Sequence, residues 1–211
     1  MTSRILDELT QKEDPSEEVA EKVIREPDFI PDLLEGITSR NKRVKNRSIK
    51  ILRTISSKKP ELLYYHWDMF LSLMRGDDTI LKWNAIDIIA NLTPVDSQSK
   101  FDKIFDEYYD MIDDTTMITA AHVVDNSGKI ALAKPEFRNK ITEFLLDVEN
   151  DTRESTECTN ILLGKTIVVL DQYYDSIEDK TKVIEFVKRR LKNRRPATRK
   201  KAEKFLKKWE E

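Results

Sequence analysis

The chain has 211 residues, of which 39% are hydrophobic and 36% charged, with four glycines and a net charge of -2. That balance suits helices with solvated outer faces and argues against a sheet protein, so one elongated all-α domain spanning 1–211 is expected. The single Cys158 excludes an internal disulfide and fits a reducing, cytoplasmic setting; no apolar run reaches the roughly 20 residues that cross a bilayer, and the N-terminus lacks a signal peptide's apolar stretch.

In chain order, Ile5, Leu6 and Leu9, then Val19, Val23 and Ile24 after Pro15, predict two short capping helices within 1–27. Helix pairs follow over 28–211. The first joins 28–38 to 42–57 and the second 60–74 to 79–92, with Pro60 and Pro94 at corners where proline is tolerated. Shifting the first pair by thirty-seven places lays Leu33, Ile37, Val44, Ile49, Leu52 and Ile55 on Phe70, Met74, Leu81, Ile86, Ile89 and Leu92, and Lys45 on Lys82. Apolar matches at one fixed offset mark a tandem array. A third pair, 97–112 with 117–133, continues it at an offset of thirty-eight, with Phe70 mapping to Tyr108 and Ile86 to Val124. The fourth pair joins 135–148 to 155–173, and the fifth joins 180–192 to 196–209. In the last helix Ala202, Phe205, Leu206 and Trp209 form an apolar stripe opposite Lys200, Lys201, Lys204, Lys207 and Lys208, as a terminal cap requires. Trp67 aligns with Ile30 and Phe105 and is expected in the core, as is Trp209 beneath the terminal cap.

The second pair carries an acidic turn, Asp77-Asp78, then Leu81-Lys82, Ala85, Ile89 and Leu92; the first carries Val44-Lys45, Ser48, Leu52 and Ile55. These two copies resemble the HEAT repeat, over 28–95 in motif and to the C-terminus in spacing. At Thr119-Ala120 and Thr156-Glu157 only the spacing is kept. The expected fold is therefore an α-solenoid of about five HEAT-like pairs. The resemblance implies that the second helix of each pair lines a concave surface used for binding.

Charge is segregated. Nine Lys or Arg and no acid lie between Arg40 and Lys59, and cations dominate again from Lys180 to Lys208. Between them Asp102, Asp106, Glu107, Asp110, Asp113, Asp114 and Asp125 make an acidic run continued by Asp147, Glu149, Asp151 and Glu154. Lys45 is read as a structural cation bridging to the preceding turn, whereas Arg43, Arg47 and Lys50 are expected to remain available. With Lys82, Trp83, Asn84 and Asp87 they make the expected partner-binding set, Trp83 and Asn84 projecting to the inner side of the stack.

Catalytic signals are weak. Gly164-Lys165-Thr166 ends like a phosphate-binding loop, but Thr159 stands where the earlier glycine is needed and no strand precedes it. Gly128-Lys129 repeats the glycine one unit earlier, which helix packing explains. His66 and His122 have no metal-spaced partners; His122 and Asp125 read as a surface pair, and Cys158 as a partly buried structural thiol. No catalytic residue, cofactor or metal site is expected. The leading expectation is a non-catalytic scaffold or adaptor that binds an acidic or extended protein segment. The alternative is nucleic-acid binding, including a similarity to HEAT-like DNA glycosylases resting on Trp83 with Asp87, and a third reading is one subunit of a larger assembly.

Overall fold

The computed structural model describes residues 4–113, 116–150 and 155–210. Asp114, Asp151 and Glu154 of the acidic run lie outside them. Among the described residues there are twelve α-helices and no strand, in two compact units, 1–101 and 102–211.

The first unit holds α1 (Arg4–Glu8), α2 (Ser16–Arg25), the pair α3 (Ile30–Gly36) and α4 (Lys42–Lys58), and the pair α5 (Trp67–Arg75) and α6 (Thr79–Leu92). Proline-led 3-10 turns at Pro27–Phe29 and Pro60–Leu62 precede the first helix of each pair, where a missing N–H costs nothing. Asn41 caps α4 by accepting from the amides of Arg43 and Val44, and Asp78 caps α6 by accepting from that of Leu81. Every residue of the six matched apolar pairs is buried, none more than 9% exposed. The thirty-seven-residue offset is thus the period of the core. Trp67 is also buried, edge-on to Tyr64 at 6.1 Å between ring centroids. The helix α2 packs on α4, and α4 on α6, so the second helices lie side by side.

The second unit repeats the plan with α7 (Phe105–Asp110) and α8 (Met117–Ala133), α9 (Arg138–Asp147) and α10 (Thr156–Tyr173), and α11 (Lys180–Arg190) and α12 (Pro196–Trp209). Again α8 packs on α10, and α10 on α12. Phe105 stacks on Phe137 at 4.2 Å and Tyr109 on Phe144 at 5.2 Å, filling the space between the first helices with aromatic area. Trp209, expected in the core, is only half-buried: its ring leans on Tyr174 at 4.7 Å while its Nε1 donates to Asp171 at 2.7 Å. An indole at the end of a stack keeps its polar edge at the rim.

The two mid-helix glycines are contact points. At Gly128 an added Cβ would run into the side chain of Gln172; at Gly164 it would stand 2.8 Å from Thr198 Oγ1. Thr198 is 1% exposed and donates to the Asn160 carbonyl at 2.8 Å, so it has nowhere to turn. Gly164→Ala is therefore expected to destabilise the chain by about 1–3 kcal/mol through overpacking between α10 and α12. An unchanged urea midpoint would show that the two helices separate freely.

Candidate interaction surface

On α4, positions 43, 47 and 50 fall within about 60° of one another around the helix axis, so their side chains form one stripe. They do not stay available as expected. The first unit's own N-terminal segment engages them. Arg43 Nη1 donates to the carbonyls of Thr10 at 2.8 Å and Gln11 at 3.2 Å. Arg47 donates to those of Leu9 at 3.0 Å, Gln11 at 2.7 Å and Lys12 at 3.4 Å. Asp14 then meets Lys50 at 2.7 Å and Arg47 at 3.4 Å. The Lys50 ammonium, helped by the Ser16 hydroxyl, holds the Asp14 carboxyl well below the usual carboxylate range. The physical reason is the chemistry of guanidinium itself, which only donates and so seeks carbonyl and carboxylate oxygens.

The neighbouring helix α6 presents Ile80, Trp83, Asn84 and Asp87 along a similar stripe. Ile80 is 42% exposed and the other three are half-buried. Asn84 Nδ2 donates to the Ile80 carbonyl at 2.8 Å, and Asp87 receives Arg53 from α4 at 3.3 Å. Lys82 belongs elsewhere, about 100° from Trp83 around the helix, in the place that Lys45 takes on α4. Lys45 bridges to Asp78, in the turn of the following repeat and not the preceding one. Asp78 thus caps its own helix and ties it to the previous pair, which explains the acidic turn and following cation of the repeat motif. On the other flank, Lys58 of α4 reaches Glu17 at 2.8 Å and Glu21 at 2.5 Å on α2.

In the second unit Asp125 of α8 pairs with Lys165 of α10, Glu157 of α10 with Arg195, and Asp171 with Lys208 of α12 at 2.8 Å. Gly164, Lys165 and Thr166 lie in the middle of α10, so the phosphate-loop likeness is a packing motif. Lys201, expected on the exposed back of the last helix, is half-buried over Gly164, and burial with the nearby Lys165 lowers its pKa. His66 is half-buried, which lowers its pKa by desolvation, and Cys158 is half-buried in the first turn of α10. Among the described residues no three His, Cys, Asp or Glu side chains gather as a metal site, and no helix is long and apolar enough to cross a membrane.

Sequence reading missed Asp14, Glu17 and Glu21 as partners of the α4 cations. The signal was present: the ion pairs join opposite charges about one repeat apart, as in Asp14 with Lys50, Arg53 with Asp87 and Asp171 with Lys208. Of the cation run, Arg43, Lys45, Arg47, Lys50, Arg53 and Lys58 thus meet oxygens of the first unit itself.

No protein-family model matches the chain, and no curated protein does. Among solved structures, a designed armadillo repeat protein in complex with the peptide (KR)4 is similar, with 14% identity over 97% of this chain and 90% of that one and a TM-score of 0.55. A crystal structure of an engineered protein is similar with 14% identity over 97% and 94% and a TM-score of 0.53. Helix pairs with a buried thirty-seven-residue period, and these two likenesses, give the chain an all-α solenoid fold of the HEAT/armadillo-like repeat kind.

Proposed function

We propose that the chain is a non-catalytic scaffold of the cytoplasm that holds a protein partner on its second helices. The carrying observation is the side-by-side packing of α2, α4 and α6, which sets the stripes of successive repeats next to one another. Neighbouring packed helices stand about 8–10 Å apart, a spacing that an extended peptide crosses with two or three residues per helix. Ile80 and Trp83 supply apolar area, and Asn84 and the α4 cations supply polar contacts, the mixture by which peptide surfaces gain affinity and register. The similar designed protein holds a lysine–arginine peptide; the cations of α4 favour the opposite sign, an acidic or extended segment.

Crosslinking with an amine-reactive reagent in native extract, followed by mass spectrometry, tests the reading. Crosslinks to another protein are expected at Lys50 and Lys82 on the second helices. Crosslinks confined to first-helix lysines such as Lys140, Lys180 and Lys182 would overturn it.

A further inference from the structure

We propose that residues 10–14 are the resident occupant of a peptide site on α4, and that a partner binds there by presenting a turn with outward-facing carbonyls, followed by a carboxylate, in their place. This rests on the protein-binding reading above and adds the partner's chemistry and a step that precedes its binding.

The contacts gather around a turn, residues 9–13, with the carbonyls of Leu9 and Gln11 meeting the same nitrogen of Arg47. Carbonyls of Leu9, Thr10, Gln11 and Lys12 are taken by Arg43 and Arg47, and the Asp14 carboxylate by Lys50 and Arg47. The side chains that read them stand one helical turn apart. Recognition by main-chain oxygens carries no side-chain requirement, so any segment that turns its carbonyls outward in the same way satisfies Arg43 and Arg47; only the carboxylate at the end selects.

The occupant is built to leave. Thr10, Gln11, Lys12, Glu13 and Asp14 are all exposed and include no apolar side chain, whereas Ile5 and Leu9 before them and Ser16 and Val19 after them are buried. The segment is thus anchored at both ends and free of the core in the middle, so lifting it takes no apolar side chain out of the interior and gives up, besides the α4 contacts, the two hydrogen bonds that Asp14 accepts from the Ser16 amide and hydroxyl. Being tethered, it competes at an effective concentration on the order of millimolar. A partner's apparent affinity is lowered by the fraction of molecules in which the site is occupied.

The test uses the full chain and a capped synthetic peptide of residues 9–16, LTQKEDPS, titrated by NMR. Asp14→Ala removes the occupant's carboxylate but none of the site. It is expected to raise peptide affinity about tenfold over the unaltered chain, with shifts at the amides of Arg43, Arg47 and Lys50, and to speed tryptic cleavage after Lys12. Adding Lys50→Ala is expected to abolish the gain. Equal affinity and equal cleavage in the two chains, or shifts that spare α4, would overturn the proposal. If that happens while crosslinks to a protein still fall on Lys50 and Lys82, the scaffold reading stands and only the resident occupant fails.

Discussion

Ile89→Ala is expected to lower the thermal unfolding midpoint by on the order of 10 °C. Ile89 is 0% exposed on α6, a helix whose Leu81, Ala85, Ile86, Ile88, Ala90 and Leu92 are buried as well, so no mobile side chain is at hand to fill the space left behind. Truncating a buried isoleucine costs about 2–5 kcal/mol, transfer and cavity together, and each kcal/mol moves the midpoint of a chain of this size by about 2–4 °C. Ile80→Ala on the same helix provides the control, because Ile80 is 42% exposed; its effect should stay within about 0.5 kcal/mol. Differential scanning calorimetry of both variants decides the matter. Equal shifts would place Ile89 outside the interior.

Glu149→Gln should destabilise the second unit by about 2 kcal/mol near neutral pH, and the loss should fade in acid. Glu149 accepts from Arg189 at 2.8 Å and from Arg190 at 2.5 Å, while Arg190 is 7% exposed with its guanidinium 4.2 Å over the Phe186 ring. Removing the carboxylate strands a buried guanidinium, which costs about 3–5 kcal/mol in a fully buried pair and less here, with 28% of the Glu149 side chain exposed. Burial alone would raise the pKa of Glu149, but the hydrogen bonds from Arg190 and Arg189 outweigh it and the net shift is downward. The folded value lies below the unfolded one near 4.5. The stabilisation is therefore fully present above about pH 4.5 and is lost as the pH falls through the lower folded value. Urea midpoints of the unaltered and Gln chains should differ at pH 7 and converge as the pH falls below 4.5. A constant gap would mean that Glu149 acts through shape and not charge.

The array was legible because its cause is periodic. Burial demands an apolar side chain wherever a helix meets its neighbours, so Leu33 announces Phe70 and Ile49 announces Ile86. Charges obey no such demand. Arg47 is tied to a segment some 35 residues upstream whose path depends on how α1 and α2 turn, and no local pattern encodes that turn. The basic run on α4 was readable as a run; what covers it was not. Lys201 misled for a similar reason, since its stem is drawn inward by the absence of a side chain at Gly164, a fact about another helix.

Three ties fix α4 to α6 along its length: Lys45 to Asp78 near one end, Arg53 to Asp87 in the middle, and Ser56 to Asn91, at 2.8 Å, near the other. Over the roughly 16 Å they span, a slip of a single residue would carry side chains about 1.5 Å along and 100° around the axis, breaking all three together. The two rods can rock but cannot slide. Whatever lies across them meets a ruler with fixed graduations, so the spacing of anchor groups in a ligand must match the protein, and not the other way round.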